Sequence, residues 1–145
     1  TYFLWESGRR NDELCERCPK NTDGLENVVP RAQMPNFSPT AMFSCLEPRT
    51  VIPPHTGETN TRLIVHLPLI IPDNCSFRVG HQSREWKYGE AFVFDDSIEH
   101  EARNGSDELR AVLIFDVWNP LLSPAERELV AGLMNGVRDY YRAER

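Results

Sequence analysis

From Ala41 the chain runs in short β-branched and aromatic stretches parted by Pro, Gly, Asn and Asp, a pattern that suits antiparallel strands closing into a sandwich or barrel. The spacing predicts strands near 41–47, 61–69, 75–79, 91–94, 100–103 and 110–117. In the stretch from Arg62 to Ile71, Leu63, Val65, Leu67 and Leu69 alternate with Ile64, His66, Pro68 and Ile70, so both faces are largely apolar. Such a strand is central and covered on both sides. Near the end of the β region, Arg110, Val112, Ile114 and Asp116 share one face and Ala111, Leu113, Phe115 and Val117 the other. Arg110 therefore opens an apolar face.

Before Ala41 the density of turn formers, including Asn21-Thr22-Asp23-Gly24, Pro30, Pro35-Asn36 and Pro39, forbids long regular elements. Short helices fit around residues 2–9 and 12–18. Beyond residue 122, Ser123-Pro124-Ala125-Glu126 is a capping box with proline at the first helical position, followed by Leu129, Val130, Leu133 and Met134. This predicts a C-terminal helix. The expected organisation is a single all-β dominated domain: a helical and irregular segment over 1–40, a β core over 41–122 and a helix over 123–145.

At 145 residues and 40% hydrophobic composition the chain is long enough to close a core without covalent staples. The net charge of -6 and the lack of a basic run argue against nucleic-acid partners, which need clustered Lys and Arg. The longest apolar stretch, Leu63 to Pro72, contains His66 and falls well short of the roughly 20 residues of a membrane span. Tyr2, Phe3, Leu4 and Trp5 run straight into Glu6 and Arg9-Arg10, unlike a signal peptide. Cys15 and Cys18 form a Cys-x-x-Cys with no second pair at zinc spacing, and read as surface thiols at a helix end. Cys45 and Cys75 read as plain packing. This cysteine usage leans toward a cytoplasmic location, a removed N-terminal anchor remaining compatible with it.

Chemistry points to the histidines. His55, after Pro53-Pro54, and His100, after Phe94-Asp95-Asp96-Ser97-Ile98-Glu99, both sit at strand mouths, where barrels keep their sites. His66 lies inside a strand and needs a buried partner, and His81 falls in a polar loop. Two imidazoles and a carboxylate suit non-haem Fe(II), yet the position two residues after His55 is Gly57. Asp96 could instead orient a metal-bound water from outside the ligand set. Glu99 and Glu101 alternate with His100 and face outward.

Several stretches together resemble the aspartyl/asparaginyl β-hydroxylase family. They are Phe3-Leu4-Trp5-Glu6, Pro54-His55-Thr56-Gly57-Glu58-Thr59-Asn60, Arg62-Leu63 through His66-Leu67, Ile71-Pro72, Trp86 with Gly89, Phe94-Asp95-Asp96-Ser97-Ile98-Glu99-His100-Glu101, and Asp116-Val117-Trp118-Asn119-Pro120. The resemblance implies a double-stranded β-helix, that is a cupin-like jelly roll, and an Fe(II)- and 2-oxoglutarate-dependent dioxygenase. It implies His55 and His100 as iron ligands, with Gly57 as the family's own departure from a carboxylate triad. It further implies Ser44 and Arg110 at the distal carboxylate of 2-oxoglutarate, His66 near its chelating end, and O2 as co-substrate. The implied reaction is hydroxylation of the β-carbon of an aspartyl or asparaginyl residue, or of a related peptidic or small acid. Animal members carry basic residues near the substrate carboxylate where this chain has Met42 and Ile64; Arg62 and Arg78 are the remaining candidates to meet an acidic substrate. Three other readings stand beside it: a lipid acyl-chain hydroxylase, an iron halogenase using the opening at Gly57, and a non-enzymatic jelly-roll binding module.

Overall fold

The computed structural model describes residues 1–143. Ten strands and three helices follow in the order β1 (Tyr2–Glu6), β2 (Arg9–Arg10), α1 (Asp12–Arg17), α2 (Pro19–Asn27), β3 (Ala41–Leu46), β4 (Thr50–His55), β5 (Arg62–Ile70), β6 (Cys75–Val79), β7 (Gln82–Arg84), β8 (Phe92–Phe94), β9 (His100–Asn104), β10 (Arg110–Trp118) and α3 (Pro124–Ala143). The strands pair antiparallel in two sheets, one ordered β2-β1-β3-β10-β5-β8 and the other β4-β9-β6-β7. Antiparallel strands are what the pattern predicts, and their arrangement is the jelly roll that the resemblance implies. No helix among the described residues is long and apolar enough to cross a membrane.

The alternation within β5 and β10 sorts side chains into two layers. Val112 and Ile114 point between the sheets, where they meet Cys75, Phe77, Trp86, Ala102, Phe92 and Phe94. Leu113 and Phe115 point the other way, onto Leu4, Trp5, Leu25, Leu67 and Leu69. The larger sheet is thus covered outside by α1 and α2 and inside by the smaller sheet, leaving the middle of β10 dry on both faces. A third cluster, Ala32, Met34 and Phe37 with Trp118, Val130, Ala131 and Met134, seats α3. The capping box forms as the sequence predicts: Ser123 N donates to Glu126 Oε2 at 2.8 Å and Glu126 N to Ser123 Oγ at 3.4 Å.

The N-terminal segment corrects the sequence reading. Residues 2–6 form a strand, not a helix, because β3 offers its edge: Phe3 pairs Met42 and Trp5 pairs Ala41. Ser7 and Gly8, with φ of 50° and 83°, turn the chain back so that Glu6 meets Arg9, a tight hairpin that requires two positive φ values. Tertiary pairing overrides local helical fit here. Conversely, residues 19–27 are helical despite their turn formers, since α2 begins with proline at its first turn and buries Thr22 and Leu25. Cys15 is buried, not a surface thiol, and its Sγ donates to the Leu4 carbonyl at 3.5 Å. The strand β4 also escapes the sequence pattern, its prolines masking its pairing with β9.

Candidate active site

Between the sheets lies a cavity of about 300 Å³ that runs from His55 and His100 at its mouth to Arg110 and Ser44 at its inner end. His66, Arg62, Asp96 and Asp116 also line it.

The mouth depends on an irregularity in register. Ile52 pairs with Ala102, but the next pair inward is His55 with His100, so three residues of β4 advance against two of β9. The extra residue falls at Pro53-Pro54, where missing backbone donors make a bulge tolerable, and it turns His55 onto His100. Their ring centroids stand 4.2 Å apart. Each Nδ1 lies 2.9 Å from a backbone carbonyl two residues earlier, Pro53 O for His55 and Ile98 O for His100. A carbonyl only accepts, so each ring carries a proton on Nδ1, and in the neutral ring the lone pair then lies on Nε2, the form a metal needs. Burial pushes the His100 pKa down, further favouring the neutral ring. Among the described residues no three His, Cys, Asp or Glu side chains converge as a ligand set.

Asp96 stands where the third ligand of a conventional triad would reach. A Cβ built on Gly57 would collide with the Asp96 carboxylate, and Gly57 N donates to Asp96 O at 2.6 Å. The turn that presents Asp96 is shaped by Asp95, whose Oδ1 accepts from Ser97 N at 2.9 Å and from Ser97 Oγ at 2.7 Å. Glycine is thus required at 57 so that a carboxylate from another segment can occupy that volume. Arg62 Nη2 lies 3.4 Å from Asp96 Oδ2, and its Nη1 lies 3.6 Å from Asp116 Oδ2. Asp116 is fully buried and accepts from Ser38 Oγ at 2.6 Å and Thr40 N at 3.1 Å. Burial pushes its carboxyl up to about 6, against the opposing pull of these donors and Arg62. The Arg62 guanidinium also rests on the Phe37 ring, 5.0 Å from its centroid.

The inner end is built from the middle of the larger sheet. Arg110 is 1% exposed and donates from Nη1 to Ser44 O at 3.0 Å and Ser44 Oγ at 3.3 Å. Its guanidinium lies over the Trp86 ring at 4.8 Å, and burial pulls its pKa down to about 10. Trp86 Nε1 also donates to His66 Nδ1 at 3.2 Å. That bond leaves the His66 proton on Nε2, and burial among Phe77, Phe92 and Phe94 lowers the pKa to about 3, so the ring stays neutral. Among the described residues, the buried Arg110 Nε, Asp96 Oδ1, Arg62 Nε and Asp116 Oδ1, all from residues that line the cavity, have no hydrogen-bond partner. Unpaired buried polar atoms at both ends of one cavity mark places made to receive a ligand.

The structure therefore brings together His55, His100, Asp96, Arg62, His66, Ser44 and Arg110, and it excludes Arg78. β6 alternates Cys75 and Phe77 inward against Ser76 and Arg78, and Arg78 pairs on the outer face with Glu101 at 2.5 Å and Glu99 at 2.9 Å. Glu99 and Glu101 face outward, as the alternation predicts. Trp86, Asp116 and Ser38 were not picked out as site residues by sequence reasoning. For Asp116 a signal existed, its shared face with Arg110; for Trp86 the only sequence cue was its place in the resembling stretches.

A profile of the family described as aspartyl/asparaginyl beta-hydroxylase matches residues 1–120, and the chain belongs to this family. It is 37% identical over 134 residues to the aspartyl/asparaginyl beta-hydroxylase of Mus musculus, covering 87% of this chain and 17% of that protein. It is 38% identical over 128 residues to the ornithine lipid ester-linked acyl 2-hydroxylase of Rhizobium tropici, covering 86% of this chain and 43% of that protein. The chain thus spans less than half the length of either relative. Among solved structures, the Schizosaccharomyces pombe Cnp3 cupin domain aligns with a TM-score of 0.49 at 11% identity, over 63% of this chain and 60% of that one.

Proposed function

We propose that this chain is an Fe(II)- and 2-oxoglutarate-dependent oxygenase that hydroxylates an aliphatic C–H bond. The observation that carries the reading is the pairing, in one cavity, of two imidazoles with free Nε2 atoms and a buried arginine with an unpaired Nε. Nε2 of His55 and of His100 would hold the iron. Arg110 and Ser44 would receive the distal carboxylate of 2-oxoglutarate, for which a planar guanidinium offers a rigid fork. When bound, iron and 2-oxoglutarate supply the oxidation: C–H becomes C–OH and 2-oxoglutarate loses CO2 to give succinate, one atom of O2 entering the hydroxyl group and the other the succinate.

The chain's own groups set the conditions for that exchange. Neutral His66 presents Nε2–H into the cavity as a hydrogen-bond donor beside Arg110. Asp96 lines the same cavity as the histidine pair and would orient a water there, with Arg62, itself beside Asp116, steadying its carboxylate. The phenylalanines around His66 exclude bulk water. A chloride at the Gly57 opening would meet the Asp96 carboxylate, so the geometry disfavours the halogenase reading.

Anaerobic addition of Fe(II) and 2-oxoglutarate tests the assignment. A visible charge-transfer band, and succinate once oxygen is admitted, are expected, both falling to background in His55→Ala and in His100→Ala. Folded protein that binds 2-oxoglutarate with neither band nor succinate would instead be a binding module. The relatives' names describe two acceptors, an aspartyl or asparaginyl residue and a lipid acyl chain.

A further inference from the structure

The helix α3 begins at Pro124, past residue 120 where the match to the family profile ends, yet it touches two segments that build the mouth of the cavity. One is the turn of residues 36–38, where Asn36, with φ of 59°, donates from Nδ2 to Asn135 Oδ1 at 3.2 Å. The other is the loop after His55, where Arg138 Nη2 donates to Glu58 Oε2 at 3.2 Å. Glu58 follows Gly57, whose N–H reaches the Asp96 carbonyl. Between these two anchors the Arg138 guanidinium lies over the Phe37 ring, 4.8 Å from its centroid. The same ring carries Arg62 at 5.0 Å.

Arg62 is only loosely tied to its two carboxylates. Its contacts stand at 3.4 Å to Asp96 and 3.6 Å to Asp116, the first at the limit of a hydrogen bond and the second beyond it, and its buried Nε has no partner. Such contacts attract the group without fixing its plane. The plane is set by the ring, because a guanidinium laid on an aromatic face out of water gains both electrostatic attraction and dispersion. Phe37 is itself buried, in a cluster with Ala32 and Met34 that Val130, Ala131 and Met134 of α3 cover. Its neighbour Ser38 donates to Asp116, so the 36–38 turn serves Arg62 and one of its anions together. Glu58 is exposed, and an exposed ion pair holds little by itself, so Arg138 acts mainly through the ring that it covers.

We propose that Phe37 and Arg138 are positioning residues through which α3 holds the Arg62 guanidinium in place beside Asp96, so that a helix outside the family profile completes the mouth of the cavity. The consequence for iron rests on the oxygenase reading above, whereas the placement of Arg62 does not.

Two readouts on the full chain test this. The first is the exchange with water of the Arg62 Nε proton, followed by nitrogen-15 NMR in metal-free protein; with no hydrogen-bond partner, that proton is protected by packing alone. The second is Fe(II) affinity by equilibrium dialysis. Phe37→Leu, which removes the ring, and Arg138→Met, which removes its cover, are each expected to speed the exchange about tenfold. Arg138→Lys, which keeps a cation for the ring, should recover most of that effect. Val130→Ala thins the packing under α3 but keeps the ring and both cations, so it should lower the melting temperature and leave Arg62 exchange at the natural rate. Through Asp96, iron affinity should fall about threefold in Phe37→Leu and Arg138→Met and hold in Val130→Ala. Exchange at the natural rate in Phe37→Leu and Arg138→Met, or equally fast in Val130→Ala, overturns the proposal. Faster exchange with unaltered iron affinity upholds the placement of Arg62 and removes Asp96 from the iron site. If the natural chain takes up no Fe(II), the oxygenase reading falls and the exchange rates alone decide the role of α3.

Discussion

The inner end of the cavity and its mouth are made in different ways. Ser44 and His66 project from the middles of β3 and β5 and Arg110 from the start of β10 between them, all buried, and Trp86 seals them by touching both the guanidinium and the imidazole. The mouth draws on both sheets and a loop: His55 and His100 from the smaller sheet, Arg62 from the larger, Asp96 from the turn before β9, with His55 exposed. A cradle for a small dianion profits from fixed, dry donors, because hydrogen bonds to charge strengthen as water is excluded. In the proposed oxygenase the mouth would have to admit oxygen and an acceptor, and here it is held by a bulge and a bridging arginine instead of by continuous sheet. Each end should therefore fail independently of the other.

Arg110→Lys separates the ends most strongly. It keeps the charge but loses the fork, and the 2-oxoglutarate requirement is expected to rise about 30-fold, the worth of roughly 2 kcal/mol in a charge-assisted bond. Iron affinity, measured by equilibrium dialysis, should not change. Gly57→Ala is the converse: its methyl displaces the Asp96 carboxylate, and iron affinity or turnover should fall about tenfold with 2-oxoglutarate binding intact. An unaltered iron site in that variant would break the assigned role of Asp96. Trp86→Phe keeps a ring over Arg110 but removes the donor to His66. About fivefold weaker 2-oxoglutarate binding is expected, near 1 kcal/mol for one neutral hydrogen bond, with a changed ring-nitrogen spectrum for His66.

The smallest effect concerns stability against pH. The unfolded His66 imidazole takes a proton below its ordinary 6.5, while the buried ring refuses one until about 3, so stability falls as pH drops from 6.5 toward 3. Near pH 6 this amounts to about 1 kcal/mol. Asp116 acts oppositely. Its folded carboxyl, raised to about 6, takes up a proton before the unfolded one at 3.8, so its contribution improves as pH falls through that window. Urea unfolding of His66→Leu across pH should lose the first slope and retain the second.

Much of the inner end was legible from alternation alone. Leu63 through Ile70 and Arg110 through Asp116 carry a two-residue period, and that period by itself turns His66, Arg110 and Asp116 toward one interior, just as it turns Arg78 away from it. The capping box likewise announced α3, since its hydrogen bonds join residues only three apart. What local pattern does not contain is which strands become neighbours and in what register. The hairpin of residues 2–10, the bulge that swings His55 onto His100, the Arg62 bridge between Asp96 and Asp116, and the double contact of Trp86 all depend on that pairing. Side-chain direction is a property of the nearest few residues, and sequence determines it directly. Convergence at an active site is a property of sheet pairing, where one slipped residue would send His55 to the other face, and only the folded arrangement decides it.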